Sequence, residues 1–155
     1  MKIFIASDHA AFHEKNQLVD YLKHHHPNRY EVIDVGTHSS ESTNYPEWVK
    51  ILVDKVREHH VPGILLCGSG IGVSMVANRY QNIRAALCRD EDDAKMCRLH
   101  NDANVLCLSG RKTEFKMICQ IVDKFLSTTF EGGRHQTRID QFDNLGEPLS
   151  RYRSS

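Results

Sequence analysis

The 155-residue sequence has no excess charge of either sign, because 20 Lys and Arg offset 20 Asp and Glu. No overall field draws such a chain to nucleic acid or to an anionic membrane surface, so any anion recognition must come from a local group of basic side chains. No apolar run approaches the ~18 residues of a membrane span. The opening stretch "MKIFIASDHA" holds too short an apolar run for a secretory leader before it meets Asp8. Cysteine is odd in number, at positions 67, 88, 97, 107 and 119, and no C-x-x-C occurs. That argues against a secreted disulfide framework and for a reducing compartment, so a cytoplasmic location is expected. Internal repeats and low-complexity tracts are absent as well.

The signatures of the common cofactor sites are also missing. The loop after Cys67 reads "GSGIGV", and Val73 stands where G-x-G-x-x-G needs its last glycine and where a C-x5-R phosphatase loop needs its arginine. No G-K-[ST] follows, which excludes a Walker A loop. The histidines at 24–26 and 59–60 fall near helix ends without acidic or cysteine partners at zinc spacing, and Cys97-x-x-His100 lacks a second half. No metal site is expected from these patterns.

Five short apolar runs alternate with segments of helical period. Strands are expected at Lys2–Ser7, Glu31–Val35, Gly63–Leu66, Ile83–Leu87 and Val105–Leu108. Helices are expected over Phe12–His25, from Pro46 through Val56, and over Gly72–Arg79, Asp90–Leu99 and Thr113–Leu126. A short one should follow from about His135 to Phe142. This order predicts an α/β fold, an open, Rossmann-like parallel sheet of about five strands with helices on both faces and a helix at the C-terminus. Residues 1–145 read as one domain and 146–155 as a tail.

In open parallel sheets ligands sit beyond the carboxyl ends of the strands. Asp8 and His9, the loop to Tyr45, Cys67 to Gly72, and Ser109 to Arg111 all fall there. The Cys67 loop carries the strongest signal. Its glycines let backbone N–H groups face a ligand and feed a helix N-terminus, whose partial positive charge favours an anion or a thiolate. A thiolate beside such a cradle suits nucleophilic attack or proton abstraction from carbon. Cys88, Cys107 and Cys119 sit inside apolar runs and read as core. Asp8 and His9 suit sugar hydroxyls or a phosphate, although an Asx turn with a surface histidine explains them equally. Arg134 and Arg138 share a helix face and suit a phosphate, against the commoner alternative of solvated charge, and Arg111 adds a third cation. His100 and Asn101 lie at the amino end of their strand, away from the ligand edge, where a histidine capping a helix C-terminus is the simpler reading.

Taken together, "SDHAAF", "DVGTHSSESTNYP", "LLCGSGIGVSMVANR", "IRAALC", "RLHNDANVLCLSGR" and "FEGGRHQTRI" resemble the B-type ribose-5-phosphate isomerases of the ribose/galactose isomerase superfamily, over residues 1 to about 145. The resemblance implies an aldose–ketose isomerase that works through an enediolate without metal or nicotinamide. It also implies a homodimer or tetramer whose sites lie between subunits. It makes Cys67 the base, since the branch that uses a loop glutamate instead would need an acid near Val73. It gives Ser69 and His100 ring opening, with His100 as proton donor. It gives the backbone of Gly68, Gly70, Ile71 and Gly72 the enediolate oxygen, Asp8, Tyr45 and Asn101 the sugar hydroxyls, and His9, Arg111, Arg134 and Arg138 the phosphate. Isomerisation of allose or galactose 6-phosphate, or a non-catalytic phosphometabolite-binding module, are the alternatives.

Overall fold

In the computed structural model, which describes residues 1–146, five strands form one wholly parallel sheet: β1 (Lys2–Ser7), β2 (Glu31–Asp34), β3 (Gly63–Cys67), β4 (Ala85–Leu87) and β5 (Val105–Ser109), in the order β2-β1-β3-β5-β4. Six α-helices join and follow them: α1 (Phe12–His25), α2 (Tyr45–His59), α3 (Ile71–Ala77), α4 (Glu91–Asn101), α5 (Phe115–Ser127) and α6 (Arg134–Ile139). The doubly covered parallel sheet expected from the sequence is the one observed.

Successive strand side chains point to opposite faces, and two separate cores follow from that alternation. On one face Ile3, Ile5, Ile64, Leu66, Leu106 and Leu108 pack against Leu18 and Leu22 of α1, Ala94 and Cys97 of α4, and Ile118, Ile121, Val122 and Phe125 of α5. On the other, Phe4, Ala6, Leu65, Cys67, Val105 and Cys107 meet Val49, Leu52, Val53 and Val56 of α2 and Val73 and Ala77 of α3. Strands buried on both faces read as unbroken apolar runs, which is why "ILLC" and "VLCL" do not alternate. Fully burying one of these large side chains, such as Phe125, contributes roughly 1.5–3 kcal/mol.

The observed ends differ from the expected ones for visible reasons. α3 stops at Ala77 rather than Arg79, because the Asn78 side chain turns to β4: its Nδ2 donates to Ala85 O (2.9 Å) and its Oδ1 accepts from Ala85 N (2.9 Å). β4 begins at Ala85 rather than Ile83, because the Arg84 N–H is taken by Asn104 Oδ1 (2.8 Å) instead of the ladder. α6 runs Arg134–Ile139 rather than to Phe142, where a 3-10 turn follows. Of the expected tail, residues 147–155 lie outside the described residues.

With every strand parallel, all carboxyl ends share one edge. The chain leaves β1 towards β2 on one side and passes from β3 towards β5 and β4 on the other. Neighbouring strands β1 and β3 therefore flank a topological switch point, the usual place for a ligand crevice. Ser7 pairs in register with Leu66, so Asp8 and Cys67 emerge side by side.

Candidate active site

Cys67 ends β3 with its side chain on the α2/α3 face and is 5% exposed. The loop bends back so that the Gly70 N–H donates to Cys67 Sγ (3.1 Å). The bend needs Gly70: its φ is +76°, and a Cβ there would lie 2.6 Å from Leu87 Cδ1 and 2.9 Å from the Leu108 carbonyl carbon. Two loop amides expected to face a ligand are thus engaged internally, that of Gly70 with sulfur and that of Ile71 with Ser69 Oγ (3.2 Å). The other buried cysteines are chemically different. Cys107 is pushed above the ordinary thiol range by burial, and Cys119 is pushed up by burial to about 11. Cys88 is pushed up chiefly by its hydrogen bond with Cys97, 3.7 Å away between sulfurs.

The β1 loop supplies the adjoining wall. Asp8 caps the turn that follows, its Oδ1 accepting from Ala10 N (2.9 Å) and Ala11 N (3.3 Å). The Asx-turn reading therefore holds for one oxygen of Asp8. His9 is oriented from outside its own loop: Thr43 N–H donates to His9 Nδ1 (3.2 Å). Nδ1 must then carry a lone pair, so the neutral ring bears its proton on Nε2 and offers a donor there. Thr43 is held in turn, its Oγ1 accepting from Trp48 Nε1 (2.9 Å).

Beneath this loop Lys15, fully buried, donates to Asp34 Oδ2 (2.5 Å) and Thr37 O (2.6 Å). The other Asp34 oxygen accepts from Gly36 N (2.9 Å), while Ser7 N–H and O bond Gly36 O and Thr37 N. This clamp ties the β2 turn to the end of β1, immediately before Asp8.

Arg111, after β5, lies against Gly68, where an added Cβ would be 3.3 Å from its Nη1. Its backbone is pinned by Arg111 N to Gly68 O (3.1 Å) and Gly110 N to Cys67 O (2.9 Å), while Ser109 Oγ donates to Gly68 O (2.7 Å). Tyr45 sits on Gly72, where a Cβ would come within 2.8 Å of its Cζ. The result is a cleft of ≈ 540 Å³ lined by Asp8, His9, Tyr45, Cys67, Gly68, Ser69, Ile71, Gly72, Arg111 and Lys112, among others. A second hollow of ≈ 580 Å³ shares Ser69, Ile71 and Lys112 with it.

The remaining expected residues lie elsewhere. His100 and Asn101 end α4, and Arg134 and Arg138 lie on α6, which packs against α4. The His100 ring stacks on His135 (centroids 4.2 Å, planes 17° apart), and both Nε2 atoms lie 3.9 Å from Glu131 Oε2. Burial, then His100 and Arg134, hold His135 below the usual histidine range. This group lies at the amino side of β5, whereas Cys67 lies at the carboxyl end of neighbouring β3; five residues at ~3.3 Å each separate the two levels by about 16 Å. Sequence reading missed Lys112, Lys15, Thr43 and Glu131. Only Lys112, next to Arg111 at the ligand edge, carried a signal that could have found it.

A cysteine and a ring of polar and basic groups around a glycine loop, at the switch point of a doubly wound sheet, are an arrangement suited to a small anionic ligand. The comparisons narrow the class. The model of the ribose/galactose isomerase family matches residues 3–142, and the chain belongs to that family of aldose–ketose isomerases. It is 40% identical over 140 residues to ribose-5-phosphate isomerase B of Escherichia coli K12, covering 90% of this chain and 92% of that protein. It matches a crystal structure of a ribose 5-phosphate isomerase from Thermotoga maritima with a TM-score of 0.89 and 48% identity, over 93% of this chain and 98% of that one. Ribose-5-phosphate isomerase B from Mycoplasma genitalium, solved with bound ribulose 5-phosphate, matches with a TM-score of 0.87 and 40% identity, over 92% and 94% of the two chains.

Proposed function

We propose that this protein interconverts ribose 5-phosphate and ribulose 5-phosphate, with Cys67 as the base. The observation that carries the reading is the placement of Cys67, its sulfur accepting the Gly70 N–H at the wall of a cleft that also holds Arg111, His9 and Ser69. The thiolate removes the C2 proton of the open-chain aldose. The C2–H electrons form the enediolate double bond, and the carbonyl pair moves onto O1. The thiol returns the proton to C1, which takes up the C1=C2 pair; the O2–H pair closes the C2 carbonyl and the O2 proton passes to O1, giving the ketose. Electrons move only within the substrate, so no redox carrier is needed. The unengaged amides of the Gly68–Gly72 loop meet the charge that develops on oxygen, and a remote phosphate anchor on His9 Nε2 and Arg111 spends binding energy on alignment.

One chain brings together only part of the expected set, since His100, Asn101, Arg134 and Arg138 stand at another level of the molecule. In this reading a second copy of the chain completes the cleft, lending His100 for ring opening with Ser69 and the α6 arginines for the phosphate. Asp8, Tyr45 and Asn101 bind hydroxyls. The deciding experiment is a turnover assay with ribose 5-phosphate, allose 6-phosphate and galactose 6-phosphate. Preference for the five-carbon substrate is expected. Faster turnover of a six-carbon substrate overturns the substrate assignment, and no turnover of any of them makes the protein a binding module.

A further inference from the structure

We propose that Cys88 and Cys97 are an oxidation site, a thiol pair that a hydroperoxide closes into one disulfide. Their sulfurs lie 3.7 Å apart and come from separate elements, the residue that follows β4 and the middle of α4. Each sulfur's other polar contact is a carbonyl of its own segment: Ala86 O at 3.8 Å from Cys88 Sγ, and Ala94 O at 3.3 Å from Cys97 Sγ, which donates to it as a thiol. These are weak bonds that turning a side chain gives up at little cost. A disulfide holds its sulfurs about 2.05 Å apart, so the pair must close by about 1.7 Å. The Cys88 backbone is tied to β5 by its N–H to Cys107 O (3.2 Å), so the closure falls to the two side chains and to α4.

A second, independent observation is access. Cys88 is 1% exposed, whereas Cys97 is 9% exposed and lines a hollow of ≈ 280 Å³ beside the edge strand β4, with Ala85, Ala86, Asn101 and Phe142 on its walls. Hydrogen peroxide, not much larger than a water of about 30 Å³, fits there. The pair is also polarised. The hydrogen bond from Cys88, against burial and with help from Arg98, holds Cys97 below the ordinary thiol range, while the same bond and burial push Cys88 up. Cys97 is thus the attacking thiolate and Cys88 the thiol that resolves it.

The Cys97 thiolate attacks one peroxide oxygen, the O–O bond breaks, and hydroxide leaves a sulfenic acid behind. The Cys88 sulfur then attacks Cys97 Sγ, the S–O bond breaks, and that oxygen departs as water with the Cys88 proton. The two thiols lose two electrons, and one hydrogen peroxide becomes two waters. In a reducing compartment such a disulfide is transient and redox-sensing.

Cys97 stands three residues before His100 on α4. Drawing Cys97 towards Cys88 shifts that helix end. If His100 serves ring opening, as the proposed isomerase reading holds, oxidation slows turnover without touching Cys67.

The test treats the folded, reduced, full-length protein with hydrogen peroxide, blocks the remaining thiols with iodoacetamide, and maps tryptic peptides without reduction. Residues 85–89 and 96–98 fall in different tryptic peptides, so only a disulfide joins them. One such link per chain is expected, reversed by dithiothreitol and absent from Cys88→Ser. No link at a peroxide dose that already oxidises Cys67, or links to other cysteines in equal yield, overturns the site; that reading is made on the unaltered protein and does not need the variant to fold. The turnover arm is read separately, on protein in which Cys67 is unmodified. Ribose 5-phosphate turnover should fall by up to about 10²-fold, the scale of a misplacement of about 1 Å, and return with dithiothreitol. Unchanged turnover leaves the disulfide standing and overturns its link to His100. Absence of turnover before oxidation counts against the isomerase reading alone.

Discussion

Replacing Gly70 by alanine tests whether the Cys67 loop depends on one backbone conformation. The residue sits at φ +76°, which costs an L-residue about 1–2 kcal/mol. The new Cβ would also lie 2.6 Å from Leu87 Cδ1, which can rotate away, and 2.9 Å and 3.0 Å from the backbone C and O of Leu108, which cannot. Overpacking of that kind costs about 1–3 kcal/mol, so Gly70→Ala should destabilise the protein by about 2–5 kcal/mol. Gly132→Ala is the internal control: φ is +73°, yet nothing stands within 4 Å of its Cβ. It should show only the backbone cost, about 1–2 kcal/mol. Urea unfolding reads both as midpoint shifts at constant slope. In the Gly70 variant the amide also leaves Cys67 Sγ, so turnover per folded molecule should fall on the order of 10²-fold, the scale of losing one preorganised donor. Equal destabilisation by the two substitutions, or an active Gly70→Ala protein, would refute the reasoning.

Arg138→Ala should raise KM for the phosphosugar far more than it lowers kcat, because the guanidinium is assigned to binding; steady-state kinetics showing a pure kcat loss would contradict that. Lys15→Met, which fills the same volume without charge, leaves Asp34 Oδ2 and Thr37 O without their ammonium partner beneath the Asp8 loop. It should cost up to about 3–5 kcal/mol, the scale of breaking one half of a buried ion pair, reduced by the 27% exposure of Asp34, and an unfolding free energy within about 1 kcal/mol of the parent's would sink the clamp. Tyr21 donates to Asp123 Oδ2 (2.6 Å), and that bond, more than burial, raises its phenol from 10.0 to about 12. The unfolded chain then loses its proton first, so stability is present below pH 10 and falls as pH rises from there towards 12. Tyr21→Phe should flatten that part of the curve in alkaline denaturation, and an unchanged slope would remove Tyr21 as the cause.

The sheet was legible because its strands are buried on both faces and so stand out as unbroken apolar runs between helical stripes. The Cys67 loop and Asp8–His9 were legible for a different reason: a parallel sheet puts all its strand ends on one edge, so strand positions alone located them. Strand and helix limits were not, because they depend on single side chains with distant partners, Asn78 with Ala85 and Asn104 with Arg84. The orientation of His9 was hidden in the same way, resting on a backbone amide 34 residues away. Lys15 carries no signal in the sequence; only the fold reveals the carboxylate and carbonyl it meets. The His100, Glu131 and His135 group has no local spacing to betray it, because the α4–α6 contact alone assembles it. Helical spacing already put Arg134 and Arg138 on one face, whereas the cleft beside Arg111 became visible only in the fold.

The most direct measurement is turnover of ribose 5-phosphate by Cys67→Ala beside calorimetric binding of ribulose 5-phosphate. If the sulfur moves the proton, turnover falls by about 10²-fold or more while affinity stays within a few-fold of the parent protein. A variant that isomerises at the parental rate, or that loses binding in step with turnover, would take the base away from Cys67.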